Sequence, residues 1–403
     1  MSRLSDPEVL VVGAGPVGLM AALFLQQRGV RVTIVDMHQR TTQHSYALAI
    51  HPQTLRVLEE AGLAQGLVGA GRKLTKVAYY AGRERKAEID YSALSTTYPY
   101  LLVVRQSLLE RAAEDALGRN KLDVLWAHRL QSLEAEGDRV RADVATLDHV
   151  ASGYPVARSE WLVADSASIH PAYVIGADGY DSAVRRMAGF EMDEHGSGQF
   201  FSVYEIEAAG ELPAEVRVMI DPDFTSVYWP LEQGRCRFGF QIRGDSEHDA
   251  SMQRLTQLIA ARAPWCAARP TQIYWSTLGL FESRLTRSFG RGCVWLAGDA
   301  AHQAAPVAVQ SMNSGLVEAR ELAVRISRIL RGEAAPALLE EFGRQTTDVW
   351  QRHVDSRTAV RALAAADPWV SDNAARIVDC VPASGEDLEP LLAQIGLSFH
   401  VRT

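Results

Sequence analysis

Residues 8–18 read Glu-Val-Leu-Val-Val-Gly-Ala-Gly-Pro-Val-Gly, a short apolar run followed by a glycine-rich turn. The apolar run predicts a buried parallel strand, and the turn opens a predicted helix. In such a turn Gly13 allows the tight bend, Gly15 lets the backbone approach a pyrophosphate, and Gly18 lets the helix pack closely on the strand. The stretch therefore predicts the first β-α unit of a dinucleotide-binding domain.

The residues that follow complete this unit. The predicted helix runs to about Arg28, and Gly29 stands where helices often end. A second apolar strand, residues 31–35, leads into Asp36, at a position where an acidic side chain can bind a ribose hydroxyl. We expect a βαβ beginning and hence an α/β fold with a parallel sheet. The fingerprint alone does not distinguish NAD from FAD.

Two later apolar strands also end in an aspartate. Residues 174–179 read Val-Ile-Gly-Ala-Asp-Gly and place Asp178 at the end of the first. Residues 294–302 read Val-Trp-Leu-Ala-Gly-Asp-Ala-Ala-His and place Asp299 after the second. The carboxyl ends of parallel strands form the usual ligand edge of an open α/β sheet. An isolated aspartate at such a position is equally well explained as a turn or cap residue.

With these three motifs in this order, the chain resembles the flavoprotein aromatic hydroxylases related to 4-hydroxybenzoate hydroxylase, up to about residue 345. The resemblance implies a Rossmann-like FAD-binding domain with a parallel sheet, an interleaved antiparallel-sheet substrate domain and a helical C-terminus. It implies that NADPH or NADH binds transiently as a co-substrate and reduces FAD. Oxygen would then add to the flavin, and the resulting flavin hydroperoxide would hydroxylate the substrate. The residues that it assigns to FAD are Gly13, Gly15, Pro16, Gly18, Asp36, Arg105, Gln106, Asp178, Gly298, Asp299, Pro306, Met312 and Asn313.

The chain departs from the family in the loop that the resemblance places at the flavin. Where the family has the glycines of Gly-Gly-Gln-Gly-Met-Asn, this chain has Ala308, Val309 and Ser311. Glycine adopts positive φ freely, whereas a β-branched residue there is an outlier. We therefore expect a loop of different shape. Two further departures are Tyr46, where an arginine is common, and the Phe-Gly-Arg-Gln of residues 342–345.

Changes in composition and hydrophobic periodicity along the chain predict a discontinuous domain organisation. We expect the FAD-binding domain in residues 1–72, 100–190 and 280–345, and the substrate-binding sheet domain in residues 73–99 and 191–279. Residues 346–403 are expected to form a helical C-terminal segment. Residues 148–159 are expected to form a loop insertion.

The predicted substrate site lies between the flavin and the strands of residues 200–242. Its candidate residues are Tyr204, Tyr228, Trp229 and Gln241, each of which is also explained by ordinary sheet packing. This aromatic segment has few cations, so we expect a large, weakly charged aromatic or polycyclic substrate. Neither a general base nor a second dinucleotide fingerprint is evident, and we identify no catalytic residue.

Three alternatives stay open. A flavin halogenase shares this fold, but its Trp-x-Trp-x-Ile-Pro motif does not occur in the sequence. An FAD dehydrogenase or reductase that acts without oxygenation is compatible with the replaced loop glycines. A non-catalytic protein that binds FAD for structural reasons is the third.

Composition argues against several other classes of protein. The net charge of −8 gives no basic footprint for nucleic acid. The four cysteines form no CxxC pair, which argues against a disulfide framework or a zinc site, and no metal is expected. We expect neither a signal peptide nor a membrane span, and hence a cytoplasmic protein. The oligomeric state is left open.

Overall fold

A computed structural model describes residues 6–40, 49–152, 158–355 and 360–399. Tyr46, one of the departures from the family pattern, lies outside these ranges. The described α-helices are α1 (Pro16–Gln27), α2 (Pro52–Glu60), α3 (Ala64–Ala70), α4 (Gln106–Arg119), α5 (Ala183–Met187), α6 (Met252–Arg262), α7 (Gln310–Leu330), α8 (Ala337–Val354), α9 (Pro368–Asp372), α10 (Ala374–Val378) and α11 (Leu388–Gln394).

Strands occur throughout the chain, and most of them fall in two large sheets. They are β1 (Val9–Val12), β2 (Val32–Val35), β3 (Ala49–Ile50), β4 (Arg72–Leu74), β5 (Lys76–Ala81), β6 (Glu84–Asp90), β7 (Leu101–Val103), β8 (His128–Glu136), β9 (Arg139–Ser152), β10 (Arg158–Ile169), β11 (Tyr173–Gly176), β12 (Met192–Glu194), β13 (Gln199–Ala209), β14 (Val216–Ile220), β15 (Thr225–Pro230), β16 (Arg235–Ile242), β17 (Arg269–Phe281), β18 (Arg284–Thr286), β19 (Gly290–Arg291), β20 (Val294–Leu296), β21 (His302–Gln303), β22 (Val360–Ala362) and β23 (Leu397–Phe399).

The first large sheet has the strand order β19-β20-β11-β1-β2. β1 pairs in parallel with β2 and β11, and β11 pairs in parallel with β20. The predicted α/β fold with a parallel sheet is thereby confirmed. Because the strands are parallel, the three segments that carry Asp36, Asp178 and Asp299 end at the same sheet edge. The apolar helix α1 packs between α4 and α7, and its residues 17–25 are buried.

The second sheet has the order β17-β13-β16-β15-β14-β5-β6 and is antiparallel except where β14 pairs in parallel with β5. Successive side chains of each strand point to opposite faces. One face packs against α6 and contains a cluster that includes Tyr204 and Tyr228. The other face carries Phe201, Val203 and Trp229 and packs against residues 370–397 of the C-terminal segment.

One prediction about local structure was wrong. Residues 148–152 and 158–159 do not form a loop insertion, because β9 and β10 pair across them as an antiparallel hairpin. The cross-strand pairs Ser152–Arg158 and Ala151–Ser159 decide this structure, and local composition does not show such pairing. The predicted helical C-terminus is confirmed, and the short strands β22 and β23 pair antiparallel beside its helices.

Within the described ranges, no helix combines the length and the apolar character needed to cross a bilayer.

Candidate cofactor site

The glycine turn after β1 is shaped by close backbone contacts. Gly13 has φ +102°, and a Cβ atom there would lie 2.2 Å from the Ala177 carbonyl oxygen. A Cβ on Gly18 would lie 1.8 Å from the Gly13 carbonyl oxygen. At Gly15, by contrast, a Cβ would meet nothing within 4 Å, because this residue borders an open cleft at the start of α1. Gly13 and Gly18 thus serve packing, while Gly15 leaves open space at a helix N-terminus.

Asp36 holds the turn from the neighbouring strand. Its Oδ2 accepts a hydrogen bond of 2.7 Å from the Ala14 backbone N–H, and its Oδ1 accepts one of 2.8 Å from the His38 backbone N–H. Both bonds fix the carboxylate at the carboxyl end of β2, as the sequence pattern predicts.

Asp178 closes the same edge after β11. Its carboxylate accepts hydrogen bonds from the Ser182 hydroxyl and from the backbone N–H groups of Ala183 and Val184, at 2.7 and 3.1 Å. Asp178 therefore stabilises the start of α5. Burial raises the pKa of this carboxyl, although these donors pull it down. Arg185 of the same helix donates to the Ala300 carbonyl at 2.9 Å and so links this motif to the one around Asp299.

A cleft of about 690 Å³ opens between these motifs. The glycine turn, Asp36 and Asp178 line it together with Gln106 and Glu110 of α4. Amide groups at a helix N-terminus favour a pyrophosphate, and a strand-end carboxylate favours a ribose. The cleft and its donors therefore fit the dinucleotide part of FAD.

Arg105 and Gln106 diverge in the structure. Gln106 lines the cleft and donates to Glu110 Oε1 at 2.7 Å. Arg105 reaches the second sheet, where it donates to Glu205 Oε1 at 2.9 Å, and Arg237 donates to the other oxygen at 2.7 Å. Burial alone would raise the pKa of Glu205, but the two arginines hold it below its usual range.

Burial raises the pKa of Glu110 from 4.5 to about 7. The folded chain therefore holds a proton that the unfolded chain releases. The stability contributed by this proton is present below about pH 4.5 and is lost as the pH rises through about 7. Glu110→Gln, which mimics the protonated form, is expected to stabilise the FAD-free protein by about 2–3 kcal/mol near pH 8 and to change little near pH 4.

Urea unfolding at the two pH values measures this difference. Asp115→Asn, on an exposed position of the same helix, is the control and is expected to change stability by less than about 0.5 kcal/mol. An equal effect of Glu110→Gln at both pH values would contradict the prediction.

Asp299 lies in a 3₁₀ turn, Gly298–Ala300, directly after β20. The residue is exposed to solvent, and protein groups surround its carboxyl. The lost hydration raises its pKa, as does the nearby Glu318, while His302 opposes the rise. Glu318 is buried and accepts hydrogen bonds of 2.9 Å from the Gly298 backbone N–H, His302 Nε2 and Trp350 Nε1. His302 also stacks on Trp350 and is fully buried, so its contacts are those of a structural residue.

In the loop after Asp299, one of the residues that replace the family's glycines has a positive φ. Val309 has φ +52° and ψ +35°, so it adopts the left-handed conformation that a glycine adopts freely. Ser311, another of the replacements, accepts a hydrogen bond of 2.9 Å from the Ala304 backbone N–H and closes the loop. Pro306 begins a 3₁₀ turn, and Met312 is half-buried between both sheets. The Asn313 side chain is fully buried and bonds to the backbone.

The four candidate substrate residues divide between the faces of the second sheet. Tyr204 and Tyr228 are fully buried on the α6 side, and their hydroxyls donate to the backbone carbonyls of Asp249 and Pro213. Packing accounts for both tyrosines. Trp229 faces the C-terminal segment and is 3% exposed. The Gln241 side chain accepts a hydrogen bond of 2.8 Å from the Thr225 backbone N–H.

Sequence reasoning missed several residues of this region. The sequence could have indicated that Glu110 is buried, since an acid on the apolar side of a predicted helix faces the core. Glu318 had the same signal among the small and apolar residues of α7. No sequence signal marked Trp350 or His51, because their hydrogen-bond partners are distant in sequence and only the fold brings them together. His51 is described below.

Comparison with known proteins extends these observations. The family model described as FAD binding domain matches residues 6–357. The 6-methylpretetramide 4-monooxygenase of Streptomyces rimosus is 28% identical over 369 residues, which cover 89% of this chain and 62% of that protein. Pentachlorophenol 4-monooxygenase of Sphingobium chlorophenolicum is 26% identical over 377 residues, with coverages of 89% and 65%. The chain thus spans less than two thirds of the length of these two relatives.

Among solved structures, p-nitrophenol 4-monooxygenase from Pseudomonas putida DLL-E4 aligns with a TM-score of 0.76 at 22% identity. The alignment covers 98% of this chain and 97% of that chain, which shows a shared fold. The predicted resemblance to FAD-dependent hydroxylases is confirmed by these relatives. Because the family model matches most of its length, this chain belongs to the FAD-binding-domain family and is a flavoprotein.

Proposed function

We propose that this protein is an FAD-dependent monooxygenase that consumes NADPH or NADH and oxygen and hydroxylates an aromatic or polycyclic small molecule. The observation that carries the proposal is the position of the loop after Asp299. This loop leaves the ligand edge of the parallel sheet, and its Val307 and Val309 pack in the same cluster as Phe201 and Trp229 of the second sheet. A flavin held at this loop would adjoin this largely apolar cluster, which suits an aromatic partner.

Several residues would hold the cofactor. The amides at the start of α1 would bind the pyrophosphate beside Gly15, and Asp36 would bind the adenosine ribose. Asp299 would bind the ribityl or pyrophosphate part of FAD, and Pro306 and the backbone at Met312–Asn313 would adjoin the ring. When bound, FAD supplies the oxygen chemistry that side chains lack. The chain itself binds, orients and excludes water.

A second cavity gives a route to this loop. It has a volume of about 320 Å³ and lies where the loop meets the ends of β13 and β17. Ala304, Ala305 and Gln310 form one wall, while Gln199 and Phe281 form another. We propose that a reactant reaches the flavin through this cavity.

Names of relatives support the substrate class. Those proteins are named for reactions on pentachlorophenol and p-nitrophenol, which are phenols. The division into an FAD-binding domain (1–72, 100–190, 280–345), a sheet domain (73–99, 191–279) and a C-terminal segment (346–403) is part of the proposal. So is the cytoplasmic location.

The test measures NADPH and NADH consumption by the FAD-loaded protein in air, across phenols and polycyclic aromatics. Products are analysed by mass after reaction under heavy-isotope oxygen. A compound that speeds consumption and gains one labelled oxygen atom supports the proposal. Turnover with an electron acceptor under strict anaerobiosis and no labelled product would indicate a dehydrogenase. A halide-dependent product would indicate a halogenase, and normal FAD occupancy without reduction by either nucleotide would indicate a non-catalytic flavoprotein.

A further inference from the structure

His51 is a buried histidine outside the motifs described above. It stands between β3 and α2 with no exposed surface. Its Nε2 lies 2.8 Å from the Ala308 carbonyl oxygen and its Nδ1 lies 3.2 Å from the Ser384 hydroxyl. A carbonyl only accepts, so Nε2 carries the hydrogen and Nδ1 accepts from the serine. Burial lowers the pKa of His51 to about 4, so the ring is neutral at neutral pH.

Asn313 works beside it. Its Oδ1 accepts a hydrogen bond of 2.8 Å from the His51 backbone N–H. Its Nδ2 donates to the carbonyls of Ala49 and Val309, at 3.0 and 2.8 Å. His51 and Asn313 therefore hold the two consecutive carbonyls of Ala308 and Val309, one each.

Those carbonyls flank the strained residue of the loop. A non-glycine residue in the left-handed region is strained, and a β-branched side chain makes such a conformation rarer still. Strain of this kind persists only where the surroundings over-determine it. At Val309 the surroundings are the two held carbonyls and a side chain that is 7% exposed. The hydrogen bonds from His51 and Asn313 thus stabilise a left-handed conformation that a glycine would adopt without them.

We propose that His51 is a positioning residue of the flavin site, whose imidazole holds the Ala308 carbonyl and thereby keeps the left-handed Val309 and the amides that begin α7 in place for FAD. The inference rests on the proposed function, since it takes this loop to face the flavin. His51 acts through the loop and does not itself contact a reactant.

The test compares His51→Leu, which fills similar space without a donor, with His51→Gln, whose amide can donate to the same carbonyl. Each is made alone and together with Val309→Gly, which removes the strain. The readouts are FAD affinity from flavin fluorescence, the visible absorption and circular dichroism of bound FAD, and its midpoint potential. His51→Leu is expected to weaken FAD binding about tenfold and to alter the flavin spectra. His51→Gln and His51→Leu/Val309→Gly are expected to restore both.

Tyr91→Phe is the matched control. It removes a buried hydrogen bond of 2.9 Å to the Pro382 carbonyl, and so loosens the same C-terminal segment without touching the loop. It is expected to leave FAD affinity and spectra unchanged, whereas a loss equal to that of His51→Leu would overturn the proposal. If His51→Leu does not fold, Ser384→Ala replaces it and is expected to weaken FAD binding about twofold to threefold, again restored by Val309→Gly.

Wild-type affinity and spectra in His51→Leu, or in Ser384→Ala where that variant is used, would overturn the proposal. So would a loss that Val309→Gly does not restore. Because these measurements need neither substrate nor NADPH, a failure to hydroxylate would contradict the proposed function and leave the result for His51 standing.

Discussion

Alanine in place of Gly13 is expected to destabilise the FAD-binding domain severely, whereas alanine in place of Gly15 is expected to leave a stable protein that binds FAD poorly. The new Cβ at Gly13 would lie 2.2 Å from the Ala177 carbonyl oxygen and 2.8 Å from the Asp178 Cα. Both atoms belong to the backbone beside a buried strand, so no change of side-chain rotamer can relieve these contacts. Because of these contacts and the φ of +102°, we expect the free energy of unfolding to fall by about 4 kcal/mol or more. That is a large part of the 5–15 kcal/mol of a typical domain.

At Gly15 the same substitution meets no atom within 4 Å and the backbone has φ −72°. The stability of the FAD-free protein is expected to change by less than about 1 kcal/mol. FAD affinity is expected to fall at least about tenfold, because the methyl group occupies the side from which a pyrophosphate approaches. Urea unfolding and flavin fluorescence titration separate the two effects. Wild-type stability of Gly13→Ala would contradict the first expectation, and wild-type FAD affinity of Gly15→Ala the second.

Glu318→Ala is expected to destabilise the protein by about 3–5 kcal/mol. The carboxylate is 5% exposed and serves three buried donors: the Gly298 backbone N–H, His302 Nε2 and Trp350 Nε1. Alanine would leave all three without this acceptor in a region that water does not reach. Since Gly298 precedes Asp299 directly, FAD affinity is expected to fall as well.

Two further variants sharpen this result. Glu318→Gln keeps one oxygen acceptor and is expected to lose less, about 1–2 kcal/mol. Glu341→Ala removes an exposed carboxylate that accepts from Gln345 at 3.0 Å, and is expected to lose less than about 0.5 kcal/mol. Urea unfolding orders the three variants. A loss below about 1 kcal/mol for Glu318→Ala would show that the buried carboxylate contributes little.

The faces of the second sheet illustrate a limit of local reasoning. Alternation within β13 and β15 separates Tyr204 and Tyr228 from Val203 and Trp229. It does not say which face α6 covers and which face the C-terminal segment covers. That choice depends on chain segments tens of residues away, so the sequence left Tyr204, Tyr228 and Trp229 as equal candidates. Only the packed structure places the two tyrosines in the α6 core.

The sequence by itself determined the parallel sheet, the glycine turn and the strand-end positions of Asp36, Asp178 and Asp299. These features follow from the chemistry of short contiguous segments, in which a buried strand, a turn and a helix start succeed one another. The shape of the loop at Val309 was decided by tertiary structure. A local rule excludes positive φ for valine, but His51 and Asn313 offset that cost through hydrogen bonds to its flanking carbonyls. His51 lies 257 positions from Ala308 and Asn313 lies 4 positions from Val309, and a short sequence window contains only the nearer pair.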